Sequence, residues 1–361
     1  MTRPVRPARA LLVTDNPVLL DDLLRLAAAA SCEPEVAPDA ASARAGWSRA
    51  PVVIVGADVV DALARAGLPR REGVVLVGGD LDDADIWRRG VLLGAQHVVF
   101  LPDAESWLVD RFADAAEGGQ LAAPVVGVVG GRGGAGATVL ASALAVTAAR
   151  QGRRALLVDG DPLGGGIDLA LGAESVAGLR WPQLTSTRGR VAAGSLAGAL
   201  PQAESLSVLS WDRGDALTIP AEAMSALLSA AERGSELVVV DLPRAADAAA
   251  RVALERASVV LLVVPAEVRA SAAAARVAAG LTLHCPDLRV VVRGPAPSGL
   301  SASVVAESLG LPLAADLAAE PGIAAALERG EAPARRGRGP LATFSAAFLD
   351  GLLGAGSRRA A

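Results

Sequence analysis

Short apolar runs alternate with helical stretches along the whole chain, and their rhythm divides it in two. Between residues 9 and 118 the runs are Leu11–Val13, Val52–Val55, Val74–Val77 and Val98–Leu101. Helical patterns such as Val18–Ala30 and Ala84–Leu93 lie between them. Val/Ile/Leu runs without polar alternation predict strands buried on both faces, and strand–helix alternation predicts parallel βαβ units. The second part repeats the logic with the runs Val125–Val129, Ala155–Val158, Leu206–Trp211, Leu237–Val240, Ser258–Val264 and Leu288–Val292. Ala221–Arg233 reads as a helix there. Residues 173–216 are less regular, and Trp181 and Trp211 read as packing anchors. The stretch EGGQLAA (117–123) separates the two parts. The pattern thus predicts an α/β chain with a domain at 1–118, a linker at 119–123 and a second domain at 124–361. After Pro340 a final helix sets Leu341, Phe344, Phe348 and Leu352 on one stripe.

The densest chemistry lies in VVGVVGGRGGAGATVL, residues 125–140. A buried strand runs into a glycine-dense loop, Gly130–Gly136, and Thr138 opens an alanine-rich helix to about Arg150. Glycines let backbone N–H groups close round an anion, and the helix N-terminus adds its dipole. In the phosphate-loop pattern G-x-x-x-x-G-K-[ST], Gly131 and Gly136 take the glycine positions and Thr138 the Mg²⁺-holding hydroxyl. Ala137 stands where the lysine belongs, and the chain contains no lysine that another loop could supply. One lost transition-state donor costs roughly 3–4 kcal/mol, so weak or absent hydrolysis is expected. Downstream, Leu237–Val240 ends in Asp241, an arrangement in which the carboxylate meets Mg²⁺. The plainer reading of Asp241 is a helix N-cap ahead of Arg244–Arg256.

Composition narrows the picture further. With 361 residues and 52% apolar content, the chain can build sizeable cores. A net charge of −5 gives no global field that would draw nucleic acid. The two cysteines, Cys32 and Cys285, lie far apart and read as buried thiols of a reducing cytoplasm. No run approaches the roughly 20 apolar residues of a membrane-spanning helix. Arg335, Arg336 and Arg338 form a basic cluster that would give DNA at best a short, salt-dependent contact. His284, with no second histidine at a useful spacing, reads as a filler.

The first part resembles a response-regulator receiver domain by order and length. Such a domain carries an acidic pair, an aspartate acceptor, a Ser/Thr and a lysine at its strand ends. Here Asp15 stands alone after Thr14, Asp58 comes slightly late, Gly78 and Gly79 replace the hydroxyl, and Leu101–Pro102 replaces Lys–Pro. Mg²⁺-assisted phosphoryl transfer then has no site, and the domain reads as a pseudo-receiver used for docking. For Asp58 the plainer role is a helix N-cap.

The second part resembles the ParA/MinD family of P-loop ATPases with their deviant K-G-G-x-G-K-[ST] loop. That resemblance puts Arg132 at the signature lysine and Gly133, Gly134 and Gly136 at the glycines. Gly131, Arg132, Gly133, Gly134, Ala135, Gly136, Ala137 and Thr138 become the ATP-binding loop, and Thr138 and Asp241 hold Mg²⁺. Asp159-Gly160-Asp161-Pro162-Leu163-Gly164 resembles the family's D-x-D-P-x-G switch, which implies that Asp161 orients the attacking water or Mg²⁺. The plainer reading of that stretch is a β-turn. Arg293 falls where the family places a base-reading asparagine.

VVVDLPR (238–244), GLRWPQL (178–184) and EPGIAAALERGE (320–331) narrow the likeness to the CpaE/TadZ branch, closest to the actinobacterial septum-site-determining group. The implied fold is a pseudo-receiver followed by a P-loop domain with a mostly parallel sheet. The implied role is a cytoplasmic regulator of cell division or of pilus and secretion-machine placement. The implied partners are a second copy across the nucleotide face and proteins of those machines. DNA contact is weak or absent, and membrane contact is at most peripheral at the inner face of the plasma membrane. A pseudo-ATPase scaffold is the alternative, and a DNA-binding partition protein a weaker one. For the final helix, packing on the ATPase sheet is favoured over membrane contact, because its polar face lacks basic residues until Arg358 and Arg359.

Overall fold

The computed structural model describes residues 9–79, 83–116, 122–185, 191, 193–215 and 218–359, with side chains to residue 354. Two compact units divide between residues 121 and 122. Most of the expected linker, residues 117–121, lies outside the described residues.

The first unit runs β1 (Leu11–Val13), α1 (Pro17–Ala29), β2 (Glu35–Ala37), α2 (Ala40–Trp47), β3 (Val53–Gly56), α3 (Val60–Arg65), β4 (Val74–Gly78), α4 (Ile86–Leu93), β5 (His97–Phe100) and α5 (Glu105–Ala116). Its five strands pair in parallel in the order β2-β1-β3-β4-β5. The unbroken apolar runs have a simple cause: both faces are covered. Leu11, Val13, Val53, Val55 and Leu76 meet Trp47, Val60, Leu63 and Ile86 on one side. Leu12, Ile54, Val75 and Val77 meet Leu23, Leu26, Leu108 and Phe112 on the other. The last strand starts one residue earlier than the run Val98–Leu101 suggests.

The second unit runs β6 (Val125–Gly130), α6 (Ala137–Arg150), β7 (Ala155–Asp159), α7 (Ile167–Ala170), α8 (Trp181–Thr185), α9 (Ala193–Ala199), β8 (Gln202–Ala203), β9 (Leu206–Leu209), α10 (Ala221–Gly234) and β10 (Leu237–Leu242). It continues with α11 (Ala248–Arg256), β11 (Val259–Pro265), α12 (Val268–Leu281), β12 (Leu288–Arg293), α13 (Ala302–Leu309), β13 (Leu313–Leu317), α14 (Ile323–Leu327) and α15 (Pro340–Arg359). Among the described residues, eight strands form one sheet in the order β13-β12-β11-β6-β10-β7-β9-β8. Every pairing is parallel except the β8–β9 hairpin.

The glycine loop leaves β6, which lies between β11 and β10, so the candidate site falls at the centre of the sheet's C-terminal edge. From Leu140 to Ala149 every residue of α6 is buried, because the sheet lies beneath it and α15 lies over it. Alanines permit that close approach from both sides. Leu341 and Leu349 of α15 are buried, and Phe344, Phe348 and Leu352 pack against the same core. The apolar stripe of the final helix therefore faces its own domain. Trp181 and Trp211 anchor the opposite core, with ring centroids 6.1 Å apart.

The expected N-cap at Asp58 is not what forms. Asp58 lies in a single 3₁₀ turn, residues 57–59, and caps no helix. Its carboxylate accepts from the Thr14 hydroxyl at 2.9 and 3.0 Å and from the Asp15 N–H at 2.7 Å. Proximity across two parallel strand ends decides the matter, since 44 residues separate Thr14 from Asp58.

Candidate functional site

The loop after β6 is pinned at one side and open at the other. The Gly131 N–H donates to the Val263 carbonyl of β11 at 2.8 Å. A Cβ on Gly131 would stand 2.8 Å from the Ala274 Cβ of α12, so a side chain has no room there. Gly134 and Gly136 take φ values of +69° and +96°, a region that favours glycine. Above Gly133 and Gly134, no heavy atom lies within 4 Å of the Cβ positions. Helix α6 then begins at Ala137 without a side-chain cap. The unpaired N–H groups of its first turn, with the loop amides, form a cradle with a positive lip.

Thr138, in that first turn, donates its hydroxyl to Asp241 Oδ2 at 2.6 Å. Asp241 sits inside β10 and caps nothing; the N-cap of α11 is Asp247, which accepts from the Ala250 N–H. The plainer reading of Asp241 is thus corrected. Parallel register sets Asp241 beside Asp159 of β7. Both carboxylates are buried, at 4% and 2% exposure. Burial pushes the Asp241 carboxyl up to about 7; the Thr138 hydrogen bond pulls it down, and Asp159 and Asp161 push it further up. Burial raises Asp159 to about 6, against the Ile167 N–H, the Ser210 hydroxyl and the Asp161 N–H that favour its ionised form.

Asp161 is one turn further out. Its Oδ1 accepts from the Leu163 N–H at 3.0 Å, and its carbonyl accepts from the Gly164 N–H. That is the turn the local composition suggests. Asp161 still bears on Asp241 through charge.

Sequence reasoning names Asp159 in the switch motif but gives the role to Asp161, although Ala155–Asp159 and Val238–Asp241 are twin runs that each end in an aspartate, both buried. The Asp159 carboxylate accepts from the Ile167 N–H at 3.0 Å and the Ser210 hydroxyl at 2.9 Å. Its carbonyl accepts from the Trp181 indole at 2.6 Å. Asp168, also buried, accepts from Arg213 at 3.1 Å and lies 3.8 Å from Arg180. These bonds fix the two ends of the loop that carries Asp161.

Arg132 is engaged by an acid from a neighbouring element. Its guanidinium pairs with Glu267, between β11 and α12, at 2.8 Å, and both side chains are more than one-third exposed. Arg335 and Arg336 of the basic cluster are likewise paired, with Glu204 at 3.1 Å and Glu331 at 3.5 Å. His284 stands 3.8 Å from Glu255.

Among the described residues, no three His, Cys, Asp or Glu side chains converge as a metal group. An all-protein cage is not the fit for Mg²⁺ here. A hydroxyl, one carboxylate and open space above a phosphate loop do fit, because Mg²⁺ keeps waters and takes phosphate oxygens as ligands.

Comparison with known proteins agrees with this fold. The family model described as "Rv3660c-like, CheY-like N-terminal domain" matches residues 12–122. Two uncharacterized proteins of Mycobacterium tuberculosis, MT3760 of strain CDC 1551 / Oshkosh and Rv3660c of strain H37Rv, are each 42% identical over 348 residues. Each alignment covers 95% of this chain and 98% of the relative. Among solved structures, a ParA family ATPase from Chlorobium tepidum TLS superposes with a TM-score of 0.57 at 15% identity, over 63% of this chain and 98% of its own. The MinD cell division protein of Aquifex aeolicus gives 0.52 at 23%, over 63% and 98%. MinD of Pyrococcus horikoshii OT3, solved with Mg-ADP, gives 0.52 at 19%, over 64% and 98%. At these identities the likeness is one of fold: a CheY-like first unit and a ParA/MinD-like second unit with a mostly parallel sheet.

Proposed function

This chain belongs to the family of the Mycobacterium tuberculosis protein Rv3660c, with a receiver-like domain ahead of a ParA/MinD-like ATPase fold, and from that premise we propose a nucleotide-dependent regulator of the CpaE and septum-site-determining kind. It binds ATP or ADP with Mg²⁺, hydrolyses slowly or not at all, and positions division or secretion machinery through bound partners. The observation that carries this reading is the Thr138–Asp241 hydrogen bond at 2.6 Å beside an open glycine loop. Gly131 to Ala137 would wrap the phosphates, and Thr138 and Asp241 would hold Mg²⁺. Bound Mg²⁺ would supply charge neutralisation at the phosphate oxygens. Asp161, released from its turn, would orient a water. Ala137 offers no cation at the transferring phosphate, a deficit of roughly 3–4 kcal/mol that matches slow turnover.

The output in this reading is dimerisation across the nucleotide face, with the pseudo-receiver docking a protein partner. Neighbours of the same fold support partner recruitment: one is a MinC:MinD complex of Aquifex aeolicus. The reading places the chain in the cytoplasm, with membrane contact peripheral at most. Among the described residues, no helix is long and apolar enough to cross a membrane. DNA contact has little support, with Arg335 and Arg336 already paired. Calorimetry with Mg-ATP beside a phosphate-release assay tests the proposal: binding with little or no release is expected. Silence in both would leave the second reading, a scaffold that binds no nucleotide. The Arg132–Glu267 pair favours that second reading, since it withholds a loop cation.

A further inference from the structure

The cradle lacks a lysine, but a cation stands beside it. Arg293 ends β12 and by strand alternation shares a face with the buried Val291, on the side covered by α6. Its Cδ and Nε lie 3.7 and 3.8 Å from the point where a Cβ on Gly136 would stand. Gly136 is the last loop residue before Ala137, the lysine position. Arg293 is half-buried, and its Nε is shut from solvent with no hydrogen-bond partner among the described residues. The nearby acid does not satisfy it. Glu320 lines the same cavity, but its Oε2 accepts from the Leu341 N–H at 2.9 Å, and no ion pair joins it to Arg293. An unpartnered, partly desolvated guanidinium carries an energetic cost that an anionic ligand would relieve.

We propose that Arg293, reaching in from β12, supplies the phosphate-binding cation that the loop lacks, and that the site therefore recognises a nucleoside polyphosphate by its phosphate chain. This rests on the nucleotide-binding reading above. Two observations favour the chain over the base. The cavity bounded by Gly136, Val139, Leu140, Arg293, Glu320 and Ile323 holds about 50 Å³, against roughly 300 Å³ at the small end of ligand pockets. A guanidinium also only donates, whereas an asparagine in its place would both donate to and accept from a base edge. A planar fork at the start of α6 suits phosphate oxygens.

Titration calorimetry of the full chain with Mg-ADP, Mg-GDP and inorganic tripolyphosphate tests this. The wild type is expected to bind all three, ADP and GDP within about threefold of each other. Arg293→Ala should weaken all three by about tenfold or more, the loss of a charged hydrogen bond. Arg293→Gln, a shorter polar side chain that keeps an N–H donor group without charge, should weaken them as well, and it serves if the alanine variant melts early. Arg293→Lys should recover most of the affinity. Wild-type silence towards every probe overturns both this proposal and the nucleotide-binding reading. Binding by the wild type that Arg293→Gln leaves unchanged overturns the role of Arg293 alone. An ADP preference above about tenfold overturns recognition by the phosphate chain.

Discussion

Two strand-end clusters in this molecule carry residues suited to phosphate chemistry, and they treat their polar groups in opposite ways. At the end of the receiver-like sheet the groups satisfy one another. Asp58 takes the Thr14 hydroxyl and the Asp15 N–H, Thr14 accepts the Asn16 N–H, and Asn16 caps α1. At the P-loop the groups are left with unfilled capacity. Gly133 and Gly134 face open space, the Nε atoms of Arg132 and Arg293 have no partner among the described residues, and burial raises the Asp241 carboxyl to about 7. A cluster that closes on itself has settled into structure. A cluster that keeps buried donors waiting retains a reason to bind something.

The sharpest way to break that contrast is Asp241→Asn. The folded chain holds the Asp241 carboxyl far above its ordinary 3.8, so between about pH 4 and 7 it binds more protons than the unfolded chain. Stability is therefore fullest at the acid end and falls as pH rises through that window. The cost is on the order of 4 kcal/mol, shared in part with Asp159. Asparagine carries no such proton, so the variant should melt with a flatter pH dependence than the metal-free wild type. It should also lose Mg²⁺-dependent nucleotide affinity by about 100-fold. Identical pH profiles in paired melts at pH 5 and 8 would count against the buried acid.

Ala137→Lys comes next in size. A charged donor on the loop should tighten Mg-ATP binding by about tenfold and bring measurable phosphate release. Tighter binding without release would show that Asp161 stays locked in its turn. On the other side of the comparison, Asp58→Ala should cost about 1–2 kcal/mol in denaturant melts and leave nucleotide affinity untouched. Incubation of the wild type with acetyl phosphate and Mg²⁺ should leave its mass unchanged; a phosphorylated Asp58 would dissolve the contrast. The smallest effect is expected from Glu267→Gln. An exposed pair contributes little, so stability should move by less than about 0.5 kcal/mol. Release of Arg132 should raise nucleotide affinity by no more than about threefold, as read by calorimetry.

Much of this was legible in the chain itself. Val53–Val55 and Val238–Val240 read as buried strands because each is apolar on both faces, and both faces are covered. Gly131 to Gly136 declared a loop before a helix, since few other patterns need so many small residues. The roles of the acids were harder to read. Asp58 and Asp241 each invited a helix-cap reading, and neither caps a helix. Asp159 reads only as the first letter of a switch motif, with no role given to it, although it is more deeply bonded than Asp161. Arg132 looked like a phosphate ligand, and its pairing with Glu267 was not legible from spacing.

Local order was written in the sequence: periodicity sets strands and helices within a few residues, and glycine placement sets the loop's allowed backbone. Partnership was decided only by the assembled sheet. Thr138 finds Asp241 across 103 positions, and Arg132 finds Glu267 across 135. Those meetings depend on which strands lie side by side and in what register, and spacing along a chain carries no record of either.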